Sequence, residues 1–256
     1  IIHSHSTMSS INPLKSFINT FLQRNIFKYA NLYFACSTEA AEFLYGKKFC
    51  KEHKIELIKN AVEPEKYLFD AECKKKIIDG WGWNGNTVVA HVSNFSPIKN
   101  VTFLIPVIDK TIKRRNDIRF LFIGDGPTRD GIETCLNQKN LQDYCKFLGS
   151  TDKVNLFLNA ADVLVLPSVK EGLPVSVVEA QANGILCLVS DTVTREVNAG
   201  NVQFLRLEES EWTDRICKCK PVSNSEREKK SATFKESCFN INSEVKRLEE
   251  IYLNLK

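Results

Sequence analysis

From Thr87 to Ser190 short apolar runs alternate with amphipathic stretches, and this rhythm restricts the fold more than any other feature of the chain. Strand signals fall at residues 88–92, 118–123, 145–149, 163–166 and 186–190, with helical patterns at 101–115, near 153–160 and at 174–183. Repeated βα units of this kind build a parallel sheet covered by helices on both faces. Ligands of such sheets bind outside the carboxyl ends of the strands. The loops at 93–99, 124–127, 149–153 and 168–172 are therefore where chemistry is expected.

Residues 1–80 read differently. Strands are predicted at 1–5, 32–36 and 55–60, with a helix over 13–29 and another capped by Ser37 or Thr38. Three short strands do not complete a doubly wound domain. Gly80-Trp81-Gly82-Trp83-Asn84-Gly85-Asn86 is a turn-rich break and the best boundary between the two halves.

Composition excludes several classes. With 43% hydrophobic and 26% charged residues the chain is globular rather than disordered. No apolar run approaches the roughly 20 residues that span a bilayer. The start, Ile1-Ile2-His3-Ser4-His5, lacks the basic and apolar regions of a signal peptide, so the expectation is a cytoplasmic chain. Nine cysteines are scattered without a Cys-x-x-Cys pair and read as reduced structural thiols rather than a zinc site. The net charge of +4, mostly from twelve basic against nine acidic residues in 1–80, is too mild for a nucleic-acid footprint. It permits weak peripheral contact with an anionic membrane surface.

The most informative stretch is Ser168-Val169-Lys170-Glu171-Gly172-Leu173-Pro174-Val175-Ser176-Val177-Val178-Glu179-Ala180. It follows the buried strand signal at 163–166, and Pro174 suits the first turn of the next helix. Glu171 then sits in a strand-to-helix loop and Glu179 about one turn into the helix. The amides of Gly172 and Leu173 lack intrahelical partners. Carboxylates accept from hydroxyls, and helix-start amides donate to phosphate. A ligand with a hydroxylated end and an anionic end, such as a sugar nucleotide, fits both. Spacing alone does not establish this, because most exposed Glu pairs are simply solvated.

The run 161–197, with Pro167-Ser168, Glu171-Gly172-Leu173-Pro174, Glu179-Ala180 and Ser190-Asp191-Thr192, resembles the C-terminal half of retaining nucleotide-sugar glycosyltransferases of family four. The bacterial capsule and exopolysaccharide type is the nearest resemblance. It implies an α/β, GT-B-like fold with one complete doubly wound parallel-sheet domain at 87–222. An incomplete N-terminal Rossmann-like domain on the acceptor side would occupy 1–80, with helices at 223–256 crossing back to it. The first part of that N-terminal domain has no counterpart in this sequence, which leaves sheet edge and apolar surface for a partner supplying the segment.

By the same resemblance Glu171 binds donor-sugar hydroxyls, Lys99 neutralises the departing diphosphate, and His5 lies near the donor phosphate and sugar. Asn94, Gly172, Leu173 and Glu179 would complete the donor site, Glu179 at the ribose, with the backbone of Ser150 and Val154 at the nucleobase. Two positions depart from the family pattern. Asn94 stands where an Arg is usual and cannot supply its bidentate positive contact, and Lys170 replaces an aromatic residue. The implied reaction moves a sugar from a nucleotide-sugar donor to a glycan or lipid-linked acceptor with retention, without a metal or a further cofactor. The rival reading is a truncated or split sugar-nucleotide-binding protein with no transferase activity of its own. A sugar-nucleotide epimerase fits the Glu171-Gly172-Leu173-Pro174 loop less well.

Overall fold

The computed structural model describes residues 1–5 and 29–254. The helix expected over 13–29 lies, apart from its last residue, outside the described residues. Among those described, two parallel sheets form. The smaller has the order β1 (Ile2–Ser4), β2 (Tyr33–Ala35), β3 (Ile55–Leu57). The larger contains β4 (Thr87–Val92), β5 (Ile118–Ile123), β6 (Cys145–Phe147), β7 (Val163–Leu166), β8 (Leu186–Ser190) and β9 (Val202–Leu205). Its spatial order is β6-β5-β4-β7-β8-β9.

That order reverses direction at β4, which pairs with β5 on one side and with β7 on the other, Val89 opposite Val163 and Ala90 opposite Leu164. Connections leaving β4 and β7 go to opposite faces, so a crevice opens between their carboxyl ends. The central strands β4, β5, β7 and β8 form because their side chains are buried on both faces. All four residues of β7 are buried, which is why it reads as an unbroken Val-Leu-Val-Leu run.

The two faces fill differently. Val89, Val163, Val165 and Leu188 point to one core, where α4 (Leu104–Arg114) meets α8 (Glu209–Lys218) through Ile108, Trp212 and Ile216. The buried stripe Leu104, Ile105, Val107, Ile108 and Thr111 has helical spacing and explains the formation of α4. Val88, Ala90, Leu164, Leu166 and Val189 point the other way, against α7 (Val175–Ala182). This second core continues into Ala35, Cys36 and Ala40 of the smaller sheet and α1 (Thr38–Tyr45), so one apolar cluster joins both sheets.

Ser37 caps α1 as expected, its hydroxyl accepting from the Ala40 amide at 3.1 Å. After α2 (Lys47–Glu52), the helix α3 (Ala71–Trp81) is capped by Asp70 and ends at Gly82 in the left-handed region, at φ 67°. The turn-rich break expected at 80–86 thus begins inside the last turn of a helix. That helix packs with the larger sheet's elements. Lys74 pairs with Asp162 at 2.5 Å, and the Trp81 ring stacks on Phe157 of α6 (Val154–Leu158).

Beyond β5 lies α5 (Arg129–Gln138), and beyond α8 come α9 (Asn224–Phe234) and α10 (Ile241–Leu253). The chain returns to the smaller sheet through α10. The Ile241 amide donates to the Val62 carbonyl at 2.9 Å, Lys59 N donates to Glu244 at 3.1 Å, and Arg247 reaches Glu56.

Candidate functional site

The crevice between β4 and β7 is framed by the loop leaving each strand. His91, near the end of β4, is buried, and its Nδ1 faces the Val165 carbonyl at 2.9 Å. A carbonyl only accepts, so Nδ1 carries the proton and Nε2 accepts from the Ser93 hydroxyl at 2.6 Å. Burial pushes the His91 pKa down to about 4, keeping the ring neutral. The Ser93–Phe95 backbone is covered by the turn after β5. A Cβ on Gly124 would lie 1.8 Å from the Ser93 carbonyl oxygen and one on Gly126 2.7 Å from the Phe95 nitrogen. Both residues also have positive φ, so only glycine permits this close approach.

The loop then turns through Pro97–Lys99 into Asn100, which takes a left-handed conformation at φ 53°. Lys99 is thereby aimed across the crevice, its Nζ donating to Glu171 Oε1 at 2.6 Å. The two loops are zipped together. Val169 N donates to the Ile98 carbonyl at 2.9 Å, and Asn100 Nδ2 to the Pro167 carbonyl at 3.2 Å. The Ser168 hydroxyl donates to the same Glu171 oxygen at 2.7 Å, and Thr192 Oγ1 donates to the Ser168 carbonyl at 2.9 Å.

The Lys99 and Glu171 side chains are 19% and 12% exposed, so attraction and desolvation largely offset each other. The pair is therefore a positioned cation and carboxylate rather than a major source of stability. Glu171 Oε2 has no protein partner among the described residues. The amides of Gly172 and Leu173 likewise donate to no acceptor among the described residues, in contrast to the Val177 and Val178 amides, which reach the Pro174 carbonyl. Pro174 is the cap of α7 rather than its first residue, one position earlier than the sequence suggests.

The smaller sheet closes the crevice from the other side. A Cβ on Gly172 would lie 2.6 Å from the His5 carbonyl oxygen and 3.3 Å from Cys36 Sγ. Asn60, beyond β3, donates from Nδ2 to the Leu173 carbonyl at 2.8 Å, and its Oδ1 lies 3.0 Å from His5 Nδ1. The amide orientation makes Oδ1 an acceptor, so His5 Nδ1 carries a proton. The His3 and His5 rings are 4.0 Å apart, and burial together with the charge of His5 lowers the His3 pKa to about 4.

Glu179, on α7, accepts a hydrogen bond from Tyr67 at 2.7 Å. Burial raises the Glu179 pKa, and the Tyr67 bond opposes that rise. Burial and the adjoining carboxylate in turn raise the pKa of Tyr67.

Lys99, Glu171, Gly172, Leu173 and His5 thus converge at the switch point. Asn94 lies in the same loop as Lys99 but is exposed, its Oδ1 accepting from the Ser96 hydroxyl at 3.0 Å. Ser150 is exposed after β6, and Val154 opens α6 against the core that joins the two sheets. Neither hydrogen-bonds to the Lys99–Glu171 pair. Lys170 is exposed, with its ammonium 5.7 Å from the Phe43 ring centre. Sequence reasoning missed Asn60 and Tyr67. The place of Asn60 at the carboxyl side of a predicted parallel strand was a usable signal, whereas Tyr67 carried none. Among the described residues no three His, Cys, Asp or Glu side chains cluster so as to hold a metal ion.

Two parallel sheets facing each other across a switch-point crevice define a GT-B-like α/β protein. The Anabaena protein HepE, solved in complex with UDP and glucose, shares this fold with a TM-score of 0.79 at 18% identity, over 99% of this chain and 71% of HepE. Sucrose-phosphate synthase from Thermosynechococcus elongatus does so with a TM-score of 0.79 at 17% identity, over 96% and 64% of the two chains. The chain belongs to the family Glycosyl transferases group 1, whose model matches residues 86–219. EpsF of Bacillus subtilis (strain 168), which carries a glycosyltransferase name, is 28% identical over 98% of this chain and 67% of its own length. The Escherichia coli UDP-Gal:alpha-D-GlcNAc-diphosphoundecaprenol alpha-1,3-galactosyltransferase is 29% identical over 60% of this chain, which spans 41% of that enzyme. The Staphylococcus aureus capsular polysaccharide biosynthesis glycosyltransferase CapH is 29% identical over 64% of this chain and 47% of its own. No helix among the described residues is long and apolar enough to cross a membrane.

Proposed function

We propose that this chain carries the donor site of a retaining, metal-independent glycosyltransferase of cell-surface polysaccharide synthesis, moving a sugar from a nucleotide-sugar to a glycan or lipid-linked acceptor. The observation that carries the reading is the convergence at one switch point of a cation, a carboxylate oxygen and two amides that have no partner among the described residues. Glu171 Oε2 accepts from hydroxyls of the donor sugar. Lys99 and the Gly172 and Leu173 amides take the diphosphate, stabilising the negative charge that develops as the glycosidic bond to phosphate breaks. His5, held by Asn60, stands at the sugar and phosphate from the smaller sheet. Glu179 accepts from the ribose, and the backbone of Ser150 and Val154 borders the base.

Retention follows if the acceptor attacks on the face from which the diphosphate leaves, with a phosphate oxygen taking its proton. The sugar then passes through an oxocarbenium-like state held between Glu171 and the departing phosphates. Asn94 offers no charge, so Lys99 is the principal cation at the leaving group. In this reading 87–222 binds the nucleotide-sugar, 1–80 contributes the acceptor side, and 223–256 ties the two together.

The test is nucleotide release from a panel of UDP, GDP and ADP sugars, with Glu171→Ala as control. Release by the wild type that is abolished by Glu171→Ala supports the reading. Donor binding with no release from any sugar in the presence of varied acceptors overturns the transferase and leaves a binding protein.

A further inference from the structure

At the end of the larger sheet opposite the crevice, a cavity of about 310 Å³ opens beside the first residues of β7 and β8, Val163 and Leu186. A second, of about 420 Å³, adjoins it and shares Asn201 and Lys230. The lining is strongly basic. Arg215, Lys218, Lys220, Arg227 and Lys230 face the first cavity, and Lys229 joins Lys230 at the second.

The two carboxylates present are already engaged. Asp162 pairs with Lys74 at 2.5 Å and accepts from the Val88 amide at 2.9 Å, and Glu226 pairs with Lys230 at 2.7 Å. Arg215, Lys218, Lys220 and Lys229 pair with no carboxylate among the described residues, while Arg227 feels Asp162 only at longer range. Across the two cavities six cations face two carboxylates, a local excess of four that is as large as the +4 of the whole chain. Charge is therefore concentrated here against the average of the molecule.

Arg227 explains why the concentration persists. The residue is 2% exposed, and its guanidinium donates to the carbonyls of Leu158, Asn159, Ala161 and Asn183 and to the Asn183 side chain. All of its N–H groups are committed to neutral acceptors, so it contributes a fixed positive field to the cavity floor and leaves direct contacts to its neighbours. Lys218 and Lys220 are exposed at the rim, and Arg215 is held by Gln203.

We propose that this cavity is a second anion site, one that takes a phosphate-bearing group and is independent of the crevice. Ammonium and guanidinium donors on several elements, with the Asn201 and Gln203 amides between them, match phosphate oxygens. The volume is that of a small phosphorylated molecule or a lipid headgroup. The four residues of β7 separate it from the crevice by roughly 13 Å.

The test uses the purified chain with two probes. Inorganic pyrophosphate is titrated calorimetrically, and vesicles of phosphatidylglycerol or of phosphatidylcholine are tested by co-sedimentation. The site variant is Lys218→Glu with Lys220→Glu, and the charge-matched control is Lys75→Glu with Lys76→Glu on the exposed side of α3. Binding of either probe that weakens about tenfold or more in the site variant and is unmoved in the control supports the site. Pyrophosphate binding without vesicle binding identifies a soluble phosphate as its source. Binding to phosphatidylglycerol but not phosphatidylcholine identifies a headgroup. No binding of either probe, equal weakening in both variants, or pyrophosphate binding that the site variant leaves unmoved and that therefore belongs to the crevice, overturns the proposal, with circular dichroism establishing that each variant is folded.

Discussion

Gly172→Ala tests whether the loop between β7 and α7 is held against the smaller sheet as described. The new methyl would meet the His5 carbonyl oxygen at 2.6 Å, its carbon at 3.2 Å and Cys36 Sγ at 3.3 Å. The first contact is with backbone, so it is relieved only by moving the end of β1 or the loop. Overpacking of this kind costs about 1–3 kcal/mol. The φ of Gly172 is not positive, so alanine is free of backbone strain and gains about 0.5 kcal/mol from a stiffer unfolded chain. A net loss of about 0.5–2.5 kcal/mol is expected, read as a lower urea midpoint with an unchanged slope. Displacement of the Gly172 and Leu173 amides should also weaken binding of nucleoside diphosphate. Adding Cys36→Ala should restore little, because the 2.6 Å contact with His5 remains. A variant equal to wild type in midpoint and affinity, or full rescue by Cys36→Ala, would refute the described junction.

Other expectations concern titration. His91 stays neutral in the fold down to about 4 but protonates near 6.5 when unfolded. Its contribution is complete above pH 6.5 and disappears as pH falls from there through 4, up to about 3 kcal/mol in all. Urea midpoints near pH 7 and about pH 5 should therefore diverge less in His91→Gln than in wild type. Tyr67→Phe removes the bond that opposes the rise in the Glu179 pKa. If the ionised carboxylate holds the donor, affinity is lost as pH falls through that raised value. The loss should begin at higher pH in Tyr67→Phe, seen in the KM for donor against pH, with kcat near neutrality little changed.

Much of the larger sheet was legible because its central strands are buried on both faces. Residues 163–166 and 186–190 coincide with β7 and β8, since continuous apolar runs have no other place to go. The edge strand β9, Val-Gln-Phe-Leu, has a single buried residue and gives no such signal. Helix α8 is rich in charge and is fixed mainly by Trp212, Thr213 and Ile216 against the core. At the site, the loop chemistry of Lys99, Glu171 and Gly172 could be read locally. Asn60 and Tyr67 reach residues 113 and 112 positions away, contacts created by the approach of two sheets and absent from any local pattern.

The most direct measurement is calorimetric titration of UDP, GDP and ADP into the wild type and Lys99→Met. At least one should bind the wild type, and removal of the cation that pairs with Glu171 should weaken it about tenfold or more, with reduced sensitivity to salt. Absence of binding to the wild type, or equal affinity in Lys99→Met, would contradict the assignment of this crevice to an activated sugar.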